Sequence, residues 1–183
     1  MMIDRRARME RSTKETQIVT ELYLDGTGIS SVECEDQFLK HMTETMARYA
    51  SFDLKLKAGG DNDHHIVEDV AITLGTLFKK CLGDAPVERV ATEFIPMDDA
   101  LVMVSVDIVD RPYADIDCPD ALYSHFFRSF AMAAGLTLHI SVLRGFDEHH
   151  IIEASFKALG RALYKATRIR DEVLSTKDKV EIR

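Results

Sequence analysis

The chain carries few cysteines: three among 183 residues, at positions 34, 81 and 118. An odd, widely spaced set excludes a disulfide framework and reads as free thiols in a reducing compartment. No stretch approaches the ~20 apolar residues of a membrane-spanning helix. The start, Met1-Met2-Ile3-Asp4-Arg5-Arg6, has charges but lacks the apolar core of a secretory signal. These absences predict a cytoplasmic protein. Basic charge is also scarce, with 23 lysines and arginines against 31 acidic residues and a net charge of -8. That balance, with no basic aromatic surface, excludes the reading as an RNA-binding α+β protein. An anionic substrate would have to be held by a local group of cations. No Pro/Gly/Ser-rich linker divides the chain, and 46% hydrophobic residues supply a packed interior. One compact domain over 1–183 is expected, made of two half-repeats (about 5–90 and 91–170) and a polar tail from Ser175 to Arg183.

Histidine, by contrast, is concentrated. Four of the seven histidines fall in two copies of one motif: His64-His65-Ile66-Val67-Glu68 and His149-His150-Ile151-Ile152-Glu153. Imidazole and carboxylate are the usual ligands of a borderline divalent metal. Residues three and four apart share a helix face, so Glu68 can approach the side of His64 and His65. Adjacent histidines differ by about 100° around a helix axis and cannot easily serve one metal together. Each pair is therefore expected to split between two metals. The acidic stretch Asp61-Asn62-Asp63 is placed either to orient the nearby histidines or as a plain turn.

The repeat extends beyond the paired histidines. Phe38-Leu39-Lys40-His41-Met42 aligns with Leu122-Tyr123-Ser124-His125-Phe126, which puts His41 on His125. His139 falls on Lys55 and reads as structural. Each unit reads helix, strand, metal motif, helix. Phe38, Met42, Met46 and Tyr49 give segment 36–50 a helical spacing, and Leu54 and Leu56 alternate with polar residues as in a strand. Further strands are expected at Thr16–Asp25, Glu93–Ile95 and Leu101–Ile108, the last largely apolar and mostly buried. The fold class is α+β.

The ordered pieces resemble the imidazoleglycerol-phosphate dehydratase family of histidine biosynthesis. They run from Arg11-Ser12-Thr13-Lys14-Glu15-Thr16 through both histidine motifs. Pro96-Met97-Asp98-Asp99-Ala100-Leu101, Arg111-Pro112-Tyr113, His125-Phe126-Phe127-Arg128-Ser129 and Ser175-Thr176-Lys177 complete the set. The resemblance implies an internally duplicated fold, each half a four-stranded sheet with helices on one face. It also implies a large homo-oligomer, a 24-mer of cubic symmetry, with two manganese ions per active site at subunit contacts. The implied ligands are His64, His125, His149 and Glu153 for one metal, and His41, His65, His150 and Glu68 for the other. The implied substrate phosphate contacts are Arg89, Arg111, Ser175 and Lys177; a guanidinium fork suits phosphate geometry.

The implied reaction is metal-dependent dehydration of D-erythro-imidazole-glycerol phosphate to imidazole acetol phosphate. The resemblance implies that the imidazole binds between the two metals, which favours the imidazolate, whose electron density helps expel the hydroxyl. A carboxylate must act as acid/base; Glu15 and Glu153 are the candidates, with Asp98 assisting. The chain departs from the family pattern at Lys40, where an acidic residue is usual, and at Thr45, where glutamine is usual. Those departures define the alternative, a diverged homologue that uses its di-metal sites for assembly without dehydration.

Overall fold

The computed structural model describes residues 4–172. Ser175, Lys177 and the polar tail lie outside the described residues. The first half runs β1 (Arg6–Ser12), β2 (Thr16–Tyr23), β3 (Ser30–Glu33), α1 (Gln37–Ala50), β4 (Asp53–Gly60) and α2 (Asp63–Leu82). The second repeats it as β5 (Val90–Met97), β6 (Ala100–Ile108), β7 (Tyr113–Ile116), α3 (Ala121–Ala134), β8 (Leu136–Arg144) and α4 (Glu148–Ala166). The sheets have the same topology, β1-β2-β4-β3 and β5-β6-β8-β7, antiparallel except for the β3–β4 and β7–β8 pairs. The fold is a duplicated α+β fold.

Local chemistry starts each helix at an equivalent place. The side chains of Asp36, Asn62, Asp120 and Asp147 cap α1, α2, α3 and α4 by accepting from backbone N–H groups of the first turn. Such a cap is worth ~1 kcal/mol and fixes where the helix begins. In α1, Leu39, Met42 and Met46 are buried at helical spacing; in α3, Phe126, Phe127 and Phe130 are buried.

The helices lie between the two sheets. Helix α1 packs on β3 and β4, α2 on β1 and β2, α3 on β7 and β8, and α4 on β5 and β6. Across the halves, α2 packs against α3 and α1 against α4. Two glycines permit these approaches. A Cβ on Gly75 would stand 2.5 Å from the Phe130 carbonyl oxygen, and one on Gly160 would stand 2.6 Å from that of Met46.

Strand β6 corrects the expectation that Leu101–Ile108 is mostly buried. Val102, Val104 and Val106 are buried against helices, while Leu101, Met103 and Ser105 are only half-buried. The cause is the one-sided cover: helices pack on one face of each sheet, so a strand alternates even where its sequence is apolar on both faces. Strands β1, β3 and β7 are too short or too charged to show a periodicity by themselves.

Gly160→Ala tests the helix contact. The gain in helix propensity is up to ~1 kcal/mol, but overpacking against a backbone carbonyl costs about 1–3 kcal/mol. A net loss of stability is expected in thermal or urea unfolding. Gly59→Ala, with no atom of the described residues within 4 Å of the added Cβ, should leave the midpoint unchanged or higher.

Candidate metal centre

Each cross-half helix pair gathers one set of donors. From α1 and α4 come His41, His149 and Glu153, with one ligand atom of each lying within 4.8 Å of the others. Glu153 Oε2 is 3.2 Å from His149 Nε2 and 3.4 Å from His41 Nε2. From α2 and α3 come His64, Glu68 and His125, again within 4.8 Å. Glu68 Oε1 is 3.2 Å from His125 Nε2, Glu68 Oε2 is 3.9 Å from His64 Nε2, and the two imidazoles stack at 5.4 Å. His125 Nε2 is buried and makes no hydrogen bond among the described residues despite that proximity. Converging imidazole and carboxylate donors around such a nitrogen fit a divalent metal.

The two clusters differ electrostatically. Glu153 is buried, and burial alone would raise its carboxyl; Lys157, 2.9 Å from Oε1, and His41 outweigh that and hold it below the usual value. Lys157 thereby engages one oxygen of Glu153 and leaves the other facing the histidines. Glu68 is half-exposed and faces His64 and His125 instead.

The second histidine of each motif points elsewhere, as the 100° rotation requires. His65 Nδ1 lies 2.7 Å from Asp61 Oδ1, and His150 Nδ1 lies 2.6 Å from Asp99 Oδ1. Hydrogen bonding to these carboxylates raises both imidazoles above their ordinary value. Asp99 is held well below the carboxylate range by His150 and by the backbone N–H groups of Phe146 and Asp147. Asn62 Nδ2 also approaches His65 Nδ1, at 2.8 Å. That amide and the Asp61 carboxylate ask for opposite tautomers; the ionised acceptor makes the stronger bond.

The remaining sequence candidates are scattered. Glu15 sits in the β1–β2 turn, exposed, 3.8 Å from His65 Nδ1. Asp98 sits in the β5–β6 turn at φ 48°, 3.4 Å from His150 Nε2. Arg89 precedes β5 and forks onto Asp107 at 2.6 and 3.0 Å. Its repeat counterpart Arg5 is a buried structural arginine that donates to Asp25 and to the Thr167 carbonyl. Arg111 is exposed before β7. Both arginines lie at the opposite end of the second sheet from the β5–β6 turn, roughly 25 Å away at ~3.3 Å per strand residue. One chain therefore does not bring Arg89 and Arg111 to the histidines. Among the described residues His139 joins no cluster; it faces Asp115 at 3.7 Å and the Tyr113 ring. A groove of about 770 Å³ runs beside Glu15 along Thr13, Lys14, Cys34 and Lys57, and the clustered histidines do not line it.

Sequence reasoning missed three residues. Lys157 lies one turn beyond Glu153, an i, i+4 spacing that was legible. Asp99 was passed over for Asp98, although Asp99 is the residue that aligns with Glu15 across the repeat. Asp69, buried, accepts from Thr16 and pairs with Arg11 at 2.7 Å. It ties α2 to the turn that carries Glu15, and nothing in its spacing announces that contact.

A duplicated α+β protein with two histidine–carboxylate clusters between paired helices is thus the class that the fold and site define. The family model for imidazoleglycerol-phosphate dehydratase matches residues 35–163. The chain is 44% identical to the imidazoleglycerol-phosphate dehydratase of Caldanaerobacter subterraneus, over 92% of this chain and 94% of that one. It is 46% identical to that of Saccharolobus solfataricus, over 96% and 98%. The crystal structure of the Pyrococcus furiosus protein superposes with a TM-score of 0.84 at 39% identity, covering 94% of this chain and all of that one. The Staphylococcus aureus structure gives 0.82 at 33% identity, covering 90% and 99%. The chain belongs to the imidazoleglycerol-phosphate dehydratase family.

Asp69 supplies a pH test. Burial would raise its carboxyl, but Arg11 and Thr16 more than offset this and its folded value is depressed. Its stabilisation is then fully present above the unfolded carboxylate value and fades as pH falls through the lower folded one. Asp69→Asn should cost about 1–3 kcal/mol near neutrality, a deficit that shrinks below about pH 4. Urea unfolding at both pH values checks it; a deficit independent of pH would remove the ion pair from the account.

Proposed function

We propose that this chain is a manganese-dependent hydro-lyase. It converts D-erythro-imidazole-glycerol phosphate to imidazole acetol phosphate in histidine biosynthesis, in the cytoplasm, as a homo-oligomer. The observation that carries the reading is the pair of three-donor clusters in a chain that belongs to this family. Manganese held by these donors would supply Lewis acidity that stabilises an anionic imidazole ring.

The ligand sets proposed are His64, His125, His149, Glu153 and His41, His65, His150, Glu68. Each takes two residues from the α2–α3 side and two from the α1–α4 side. Apposing the α1–α4 cluster of one chain with the α2–α3 cluster of another would complete both sets. The distance of Arg89 and Arg111 from the clusters supports the same arrangement. In it, these cations, together with Ser175 and Lys177, hold the phosphate of a substrate bound at another copy's histidines.

Loss of water needs a base for a carbon-bound proton and an exit for hydroxide; the resulting enol then tautomerises to the ketone. Glu15 suits the proton transfer better than Glu153. Glu15 is exposed at a mobile-length side chain's reach from His65, whereas both oxygens of Glu153 are engaged by Lys157 and the histidines. Asp98, exposed beside His150 Nε2, is positioned to take or relay a proton. Cys34, Cys81 and Cys118 as free thiols fit a reducing compartment, and no helix of the described residues is long and apolar enough to cross a membrane.

An assay on the purified protein tests the activity. After chelation no ketone should form, and manganese should restore turnover; Glu15→Gln should then cut kcat by 100-fold or more with little change in KM, in line with the ~10²–10⁴ of general acid–base catalysis. Metal bound without turnover would leave assembly as the role of the clusters.

Mixed oligomers test the shared site. His64→Ala and His149→Ala should each be inactive alone. Co-refolded, they should recover roughly a quarter of the sites, since a random pairing supplies two intact clusters one time in four. No recovery would confine each site to a single chain.

A further inference from the structure

The two halves place a carboxylate at the same point. Glu15 in the β1–β2 turn and Asp99 in the β5–β6 turn are repeat counterparts, each beside the Nδ1 of the second histidine in its half. Only one of them bonds it. Asp99 Oδ1 is 2.6 Å from His150 Nδ1, while its Oδ2 accepts from the backbone N–H groups of Phe146 and Asp147. Glu15 Oε2 stands 3.8 Å from His65 Nδ1, beyond hydrogen-bond length. In the first half Asp61, just before α2, makes the bond instead, at 2.7 Å. The residue at the Asp61 position of the second half is Phe146, which is exposed and has no carboxylate to offer.

We propose that Asp99 is a positioning residue that keeps the proton of His150 on Nδ1 and its Nε2 lone pair free for metal, that Asp61 does the same for His65, and that this substitution of partners releases Glu15 for work on substrate. The inference rests on the ligand sets proposed above. Its physical basis is that a neutral imidazole has one donor and one acceptor nitrogen, and a carboxylate can only accept. A carboxylate at Nδ1 therefore forces the lone pair onto Nε2. At His150 the competing acceptor is Asp98, 3.4 Å from Nε2; the shorter bond to Asp99 decides the tautomer. Of the two equivalent turn carboxylates, only the one in the second half bonds its histidine.

Asp99→Asn and Asp99→Ala separate this role from a merely structural one. Asparagine can still accept from Phe146 and Asp147 through its oxygen, which leaves its amide N–H₂ facing His150 Nδ1. That donor imposes the opposite tautomer, with the proton on Nε2. Asp99→Asn should keep the wild-type melting temperature within a few degrees, yet weaken manganese binding by roughly 10–100-fold, the size expected for loss of an outer partner. Asp99→Ala should melt lower but bind manganese at least as well as Asp99→Asn, because alanine imposes no tautomer. Binding is read by calorimetric titration of the metal-free oligomer. Solid-state 15N NMR of histidine-labelled, metal-free protein at about pH 9, assigned with His150→Ala, reads the tautomer directly. Wild type should show His150 protonated on Nδ1, and Asp99→Asn should move the proton to Nε2. Glu15→Gln should leave manganese affinity within twofold, while Asp61→Asn should lower it.

An unchanged His150 tautomer in Asp99→Asn would overturn the inference whatever the metal does. So would a Glu15→Gln loss of affinity as large as that of Asp61→Asn. If wild type binds no metal, the ligand sets fail, but the tautomer spectra still decide the role of Asp99.

Discussion

The packing of helices across the two halves is the constraint on which the site depends. Neither cluster belongs to one repeat. His41 is brought to His149 and Glu153 because α1 lies against α4, and His125 is brought to His64 and Glu68 because α3 lies against α2. Gly75 and Gly160 let the backbones approach closely enough for this. The caps at Asp36, Asn62, Asp120 and Asp147 then fix how far along each helix the histidines fall. Cluster geometry is set by packing that hydrophobic burial stabilises elsewhere in the helix layer.

Duplication gave the protein two similar clusters, and small differences made them unequal. Lys157 stands beside Glu153, where the first half has Ile72 beside Glu68. Glu15 and Asp99 are in register across the repeat but have different partners. These differences matter chemically because a dehydratase needs two kinds of carboxylate. Some must stay fixed to hold ligands in one orientation, and one must remain free to move a proton. On the function proposed above, Asp99, short and hydrogen-bonded through both oxygens, is of the fixed kind, and Glu15, longer and exposed, is of the free kind.

Much of this was legible in the sequence. The doubled His-His-x-x-Glu motif, the alignment of His41 with His125 and the split of each histidine pair follow from helical geometry. The clusters contain the first histidine of each pair, His64 and His149, and not the second. Helices, and the strands with clear alternation, were visible because periodicity reports the face turned to the core. What stayed hidden were contacts between distant segments. The pairing of α1 with α4 rather than with α2, the grip of Asp69 on Thr16 and the bond of Asp99 to His150 depend on tertiary placement. The fork of Arg89 onto Asp107 is another such contact, between the residue before β5 and the end of β6.

The most direct test of the account is the position of bound manganese, measured by anomalous scattering from crystals grown with the metal. The account predicts two manganese peaks per chain, each contacted by α2–α3 donors of one copy and α1–α4 donors of another. Peaks held by the three donors of a single cluster alone, or lying away from both clusters, would contradict it.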